Sequence, residues 1–491
     1  MEKSGPGLHE LAPAPAADTR YRAGHDSLTQ TRAGWLTRRS PWRVSSDVPV
    51  FVVIFGGLCA WLIIAGLRRL EVARVSYDLG YFTQAAWLIT HGHEPLVTVR
   101  GLHLLGEHSY WVFYPITWLL KPFPTAEGLI VVQAVALALA VWPLHYLCRR
   151  LELGQPATVL VLIAYALFPA MHNVNVADVH PEALVVPAFL AAVAFASTGR
   201  WRWYSVAVAF VLLNREDVAI TVACLGLLVA FTWSRRTGFA TTLVALATLL
   251  FNRFWTLPTF SGAGYVHSDQ LPYGPGVVDN VVFVLSHPLQ LVRDLSTEPN
   301  SIFVLALLGP VAFLPLLAAR WLLPALPVQL LLLLSHKESA HTIDFQYTAQ
   351  IIPFVFVAVA FAVHRLRSLG SHRELALKLG SAAVIGCLTL SNDSWLRNGD
   401  LWEKPSTQSA AILNLTAAVP SGASVAASPS MWTYLAHRRE LYQYPAPAPN
   451  FAEWVITELD NPFLVDNPLP RSCKIVLQED SIILAHCWRQ P

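Results

Sequence analysis

Five short stretches carry the side chains able to do chemistry. Ser76-Tyr77-Asp78-Leu79-Gly80-Tyr81-Phe82, continuing to His91-Gly92-His93-Glu94, places one carboxylate at the head of a helical segment. Asp78 there reads either as an N-cap that accepts free helix N–H groups or as a general base for a substrate hydroxyl. His91 and His93 suit solvated loop positions better than metal ligation. Glu107-His108-Ser109-Tyr110 precedes an aromatic segment. Glu107 and His108 are candidates for metal ligation or for binding sugar hydroxyls, beside an interface anchor of Tyr110, Trp111, Phe113 and Tyr114. Asp178, His180 and Glu182 fall within five residues, and three titratable groups are more than a turn between helices requires. Asn214-Arg215-Glu216-Asp217 is enclosed by apolar sequence. Arg215 either forms a structural ion pair with a neighbouring carboxylate or binds a phosphate through its fork of donors. His336-Lys337-Glu338 to His341, then Asp344 and Tyr347, offers Lys337 and His341 as phosphate contacts.

The rest of the chain must hold these groups, and its composition says in what medium. Of 491 residues, 54% are hydrophobic and 13% charged, against roughly 25% charged in soluble domains. Mean hydropathy is +0.45. Lys+Arg 34 against Asp+Glu 32 leaves a net charge of +2, which gives no reason for a nucleic-acid partner. No Walker loop, dinucleotide glycine fingerprint, Gly-x-Ser-x-Gly elbow or His-Glu-x-x-His occurs, so those routes to ATP hydrolysis, hydride transfer and hydrolysis drop out. The class is an α-helical polytopic membrane protein.

Residues 1–47, rich in Pro, Ala, Arg and Ser, read as a disordered cytoplasmic tail. Apolar runs long enough to cross a core of about 30 Å place a signal anchor at Pro49–Leu67. Ten further spans follow at roughly 128–147, 156–171, 183–198, 203–214, 217–233, 237–255, 302–319, 321–335, 347–363 and 375–391. About eleven transmembrane helices therefore occupy 48–391. Within the first outer loop, 68–127, the apolar stretches 79–90 and 109–120 are too short to cross and read as interfacial helices. Basic turns at Arg149-Arg150, Arg200 to Arg202, Arg235-Arg236, Arg320 and 365–378 set the N-terminus in the cytoplasm. Arg68, Arg69 and Arg74 run against that rule. The five chemical stretches and 12 of the 17 histidines then gather on one, extracytoplasmic, face.

Residues 392–491 read as a small extracytoplasmic α/β domain. Ala410–Val419 is its helix, and Ala423–Ala427, Ala452–Leu459, Lys474–Leu477 and Ser481–Ala485 are its strands. Cys473 and Cys487 flank the last hairpin and are a disulfide candidate in an oxidising compartment. Cys59, Cys148, Cys224 and Cys387 read as packing residues. Trp432, Tyr434 and Trp454 offer stacking faces, with burial as the plainer reading for Trp454.

The segments resemble an uncharacterised family of prokaryotic membrane proteins, domain of unknown function 2079. The resemblance rests on Tyr77-Asp78-Leu79-Gly80 through Gly92, His180-Pro181-Glu182-Ala183, Glu216-Asp217-Val218, Tyr347 to Pro353, Val425 to Ser428 and Trp454-Val455-Ile456. It covers about residues 48–460. Arg215 and Gln346 stand where Lys and His are expected. That family in turn resembles the GT-C superfamily of multi-span glycosyltransferases, which take a sugar from a polyprenyl-phosphate carrier at the extracytoplasmic face. The resemblance implies an enzyme of the plasma (inner) membrane with Asp78 at the matching acidic position. It would invert the sugar during transfer to a glycan, lipid or protein acceptor. Arg215, Lys337 and His341, or a divalent ion (Mg or Mn) held among His108, His180 and Glu182, would meet the leaving phosphate. The competing readings are a secondary transporter and a non-catalytic envelope assembly factor.

Overall fold

A computed structural model describes residues 48–368 apart from 76, 124, 263–271 and 275–276, parts of 377–385, and 402–488 apart from 403, 446–451, 462–463 and 465–467. The expected tail 1–47 and most of the expected eleventh span, 375–391, lie outside these residues. Five helices are long and apolar enough to cross a membrane: Pro49–Glu71, Ala126–Arg150, Gln155–Ala177, Arg235–Ser261 and Leu314–Leu334. Five shorter apolar helices, Pro181–Ala196, Trp201–Leu212, Val218–Thr232, Glu298–Val311 and Ile352–Leu366, stand at the other expected positions. The run expected at 302–319 is divided at Ala312 and Phe313. Both have left-handed φ (50° and 54°), and the chain restarts as the helix Leu314–Leu334.

Without water to drive apolar faces together, membrane helices associate through close packing of small residues. Val218–Thr232 and Arg235–Phe251 show this. A Cβ on Gly226 would sit 2.7 Å from the Thr242 backbone nitrogen, so the two backbones touch there.

The segment 68–127, expected as the first outer loop, departs from expectation. The helix Tyr77–Thr90 does not lie with one face in an interface. Every residue from Leu79 to Ala86, and Leu88, is buried. A short hairpin follows, β1 (Leu96–Val97) against β2 (Leu102–His103). The helix Phe113–Leu119 does keep an exposed apolar end, at Trp118 and Leu119, as a membrane-facing segment would.

The expected C-terminal α/β unit is present. The helix Thr407–Ala418 packs on a five-stranded sheet of β3 (Val425–Ala427), β4 (Leu441–Gln443), β5 (Trp454–Glu458), β6 (Cys473–Glu479) and β7 (Ile482–Cys487). Strand order is β4-β3-β5-β7-β6, with β3 parallel to both neighbours and the rest antiparallel. Strand β4 is too short, at three residues, to announce itself by alternation. Cys473 and Cys487 face each other across β6 and β7 and are joined by a disulfide.

This sheet is not an appendage. One hydrophobic cluster runs from Leu79, Phe82, Leu104 and Phe113 of the loop to Ile412, Val425, Met431 and Trp432 of the C-terminal unit. Polar contacts follow the same seam. Tyr434 donates to the Leu70 carbonyl at 2.7 Å, Ser409 to the Val72 carbonyl at 2.7 Å, and the Leu441 N–H to Thr98 at 2.9 Å. Trp432, expected as a stacking face, is instead buried, with its indole N–H on the Ala427 carbonyl at 2.8 Å. Tyr434 is likewise held at the seam.

Gly80 shows how tight the seam is. A Cβ there would lie 2.6 Å from Trp432 Cβ and 2.8 Å from the Thr433 nitrogen. Backbone cannot give way as a side chain can. Gly80→Ala is therefore expected to destabilise the protein by about 1–3 kcal/mol, the range for overpacking. The check is a lowered unfolding midpoint in detergent, with the C-terminal unit becoming protease-sensitive. An unchanged midpoint would show that the seam is loose.

Candidate active site

Glu71 ends the first span, and the loop helix begins at Tyr77. Its free N-terminal N–H groups need an acceptor, and Asp78 is the local candidate. The structure gives that role to Asp178, whose Oδ2 accepts the Leu79 N–H at 3.0 Å from a distant turn. Asp78 turns to His180 instead, with Oδ2 3.0 Å from Nε2. The imidazole is buried while the carboxylate stays partly open.

Burial alone would lower the pKa of His180. Asp78 at hydrogen-bond range, with Glu182 and Asp178 nearby, outweighs it and raises the pKa above 6.5. A histidine raised on folding contributes stability that is complete below its unfolded pKa and disappears as pH climbs through the folded one. The midpoint of the wild type should therefore exceed that of Asp78→Asn most below about pH 6.5. The gap should close at higher pH. Parallel curves across pH 5.5–9 would refute the ion pair.

Asp78 and His180 open onto a cavity of about 480 Å³, within the 300–1,000 Å³ usual for small-ligand sites. Arg69, from the end of the first span, and Lys337 bring positive charge to it, and Tyr77, Asn173, Asp344 and Tyr347 bring polar groups. Lys337 Nζ donates to the Tyr347 hydroxyl at 2.6 Å and lies 5.2 Å from the centre of its ring. Arg69 spends one donor on the Arg74 carbonyl at 2.6 Å. Asn173 donates to Asp344 at 3.3 Å. Beside Asp78, the Tyr77 hydroxyl is pushed up to about 12, first by that carboxylate and then by burial.

The other expected residues lie elsewhere. Arg215 does not line the cavity. Its guanidinium is 3.0 Å from Glu182 and 3.0 Å from Asp217, the ion pair that was one of its two expected readings. Glu182 also accepts from the buried Tyr110 hydroxyl at 3.1 Å. Asp217 accepts from Gln350 at 3.0 Å, and Gln350 from Thr221 at 3.0 Å. His108 pairs with Glu216 at 2.9 Å, and Glu216 also accepts the Ser109 N–H at 3.1 Å. Burial would raise the Glu216 pKa, but His108, Arg215 and backbone donation hold it well below the carboxylate range. Glu107 is tied to Arg100 at 2.9 Å. Both ring nitrogens of His341 are engaged, by Asn300 at 2.6 Å and the Ser335 carbonyl at 2.8 Å. His341 thus braces a turn and does not line the cavity.

These pairings also bear on the expected divalent ion. Among the described residues, no three His, Cys, Asp or Glu side chains group to hold a metal. His108 and Glu182 are committed to other partners, apart from His180. The set does not fit a shared ion.

Arg69 is the cavity residue that sequence reasoning passed over. It stood out only as an exception to the positive-inside pattern, and a cation at the wrong end of a span was the available signal. Gln133, within the span Ala126–Arg150, gave no signal beyond being polar in apolar surroundings.

Residues 70–472 match the family described as predicted membrane protein, DUF2079. The chain belongs to that family. Among solved structures, the fold of this DUF2079 protein is similar to that of ArnT from Cupriavidus metallidurans bound to undecaprenyl phosphate. The TM-score is 0.54 at 12% identity, covering 90% of this chain and 98% of that one. ArnT from the same organism in the apo state gives a TM-score of 0.52 at 12% identity with the same coverage. At such identity the likeness concerns the fold alone. No curated protein matches the sequence.

Proposed function

We propose that this DUF2079 protein transfers a glycosyl unit from a polyprenyl-phosphate sugar to an acceptor hydroxyl at the extracytoplasmic face of the plasma membrane. The observation that carries the reading is one cavity lined by Asp78, a second carboxylate, Asp344, and two cations, Arg69 and Lys337. It occurs in a fold similar to a protein crystallised with undecaprenyl phosphate.

In this reading, His180 occupies Oδ2 of Asp78 and so fixes the carboxylate plane. Oδ1 takes the proton of the acceptor hydroxyl as its oxygen bonds the anomeric carbon. The anomeric C–O bond breaks on the opposite face, its electron pair passing to the phosphate, and the sugar inverts. Charge grows on the lipid phosphate during bond breaking. Arg69, Lys337 and the Tyr347 hydroxyl are the groups able to meet it, and donors aimed at developing charge stabilise the transition state. Arg69 replaces Arg215 in that role. The disulfide Cys473–Cys487 is in keeping with an oxidising compartment for the C-terminal unit.

The test is transfer by purified protein from radiolabelled polyprenyl-phosphate sugars to membrane acceptors. Labelled product is expected with at least one donor. Substrate uptake by proteoliposomes without transfer from any donor would replace this reading with the transporter one.

A further inference from the structure

Four hydrogen bonds close a ring around the base. Gln133, buried in the span Ala126–Arg150, accepts the His180 N–H on Oε1 at 2.8 Å. Its Nε2 donates to the Asp178 carbonyl at 2.8 Å and lies within 3.3 Å of the Val174 and Asn175 carbonyls. The Asp178 carboxylate accepts the Leu79 N–H at 3.0 Å, and Asp78, one residue earlier, meets His180 at 3.0 Å. The path runs from Gln133 to the 178–180 turn, to the N-terminus of the loop helix, to Asp78, to His180 and back.

We infer that Gln133 and Asp178 are positioning residues for the Asp78–His180 pair, and that Asp178 is neither a second base nor a metal ligand. The physical case is one of connectivity. Asp78 sits in the first turn of the helix Tyr77–Thr90, a hundred residues in sequence from the 178–180 turn, so its distance from that turn is set by tertiary contacts. Asp178 sets that distance by capping the foreign helix, with its charge at the positive end of the helix dipole. Gln133 anchors both backbone ends of the 178–180 turn to a membrane span at once. One carboxamide offers both an acceptor and donors, which no apolar or carboxylate side chain does at that position. Asp178 is absent from the cavity wall, whereas Asp78 and His180 are on it. The ring therefore transmits the position of a span to the reacting carboxylate, and displacement by about 1 Å is enough to cost on the order of 100-fold in rate.

The inference rests on the glycosyl-transfer reading for its kinetic arm and has a second arm that needs no turnover. Four full-length variants are compared in detergent: Asp178→Asn, Asp178→Ala, Gln133→Leu and Asp78→Asn. The Asn side chain at 178 keeps an acceptor oxygen for the Leu79 N–H, so Asp178→Asn is expected to retain kcat within about threefold. Asp178→Ala and Gln133→Leu are expected to lose about 100-fold in kcat with donor KM changed less than about threefold. Equal loss in Asp178→Asn and Asp178→Ala would overturn the inference, because a base or ligand needs the charge and a cap does not.

In the second arm, carbethoxylation of His180 by diethyl pyrocarbonate is followed by mass spectrometry. The buried imidazole should react slowly in the wild type and in Asp178→Asn, and several-fold faster in Asp178→Ala and Gln133→Leu. Unchanged labelling in those two variants would overturn the ring whatever the activity. Absence of transfer in the wild type with the labelling pattern intact would sink the transfer reading and leave the ring standing.

Discussion

Asp78→Asn is expected to lower glycosyl transfer at least about a hundredfold, within the range a general base supplies. The amide is isosteric and keeps an oxygen 3.0 Å from the His180 Nε2–H, so the loop helix and its Asp178 cap should stay in place. What disappears is the capacity to take a proton. Donor KM should change little, because Arg69 and Lys337, the proposed phosphate contacts, are untouched. The comparison is made at saturating donor, with circular dichroism and elution volume showing a folded variant. Retained transfer would remove Asp78 from the chemistry, and Asp344, the other carboxylate on the cavity wall, would be examined next. Loss of transfer together with loss of donor binding would instead indicate a collapsed cavity.

Arg215→Ala is expected to act on stability before it acts on catalysis. The guanidinium is the cation between Glu182, whose side chain is 4% exposed, and Asp217. Removing one partner of a buried pair leaves charge without compensation and costs about 3–5 kcal/mol. The unfolding midpoint in detergent should fall by several degrees. Adding Glu182→Gln to Arg215→Ala should restore part of the loss, since the orphaned charge is then gone. Donor KM of the surviving folded protein should stay near the wild-type value. A raised donor KM with an unchanged midpoint would return Arg215 to the phosphate and contradict the geometry. Arg215→Lys is expected to be intermediate, because an ammonium cannot span both carboxylates in the fork geometry of a guanidinium.

The contrast between Arg215 and Arg69 shows where sequence reasoning reached its limit. Both are cations close to the end of an apolar run. Spacing places Arg215 beside Glu216 and Asp217, and either an ion pair or a phosphate is chemically sensible there. Its partner Glu182 lies 33 residues earlier, across the two apolar helices Pro181–Ala196 and Trp201–Leu212. Arg69 lines one cavity with Asp78 and Lys337 only because the first span, the loop helix and the 335–347 turn meet there. No local pattern records a meeting of that kind.

What the sequence determined by itself is the part governed by local physics. Apolar runs of bilayer length must be helices, since lipid offers backbone groups no partner. Ten of the expected span positions hold apolar helices accordingly. The C-terminal helix and four of its five strands were legible from periodicity, while Cys473 and Cys487 were legible only as a disulfide candidate. Tertiary structure decided the rest. The residues 79–90, apolar but interrupted by Thr83 and Gln84, read from their length as an interfacial helix. Burial on every side follows from the C-terminal unit closing over them, with Gly80 against Trp432. Asp78 beside free helix N–H groups reads equally well as cap or base. Asp178, a hundred residues on, takes the capping role at Leu79 and leaves Asp78 to face the cavity. Local propensity sets which element forms, but a side chain's task depends on which of its possible partners long-range packing brings within 3 Å.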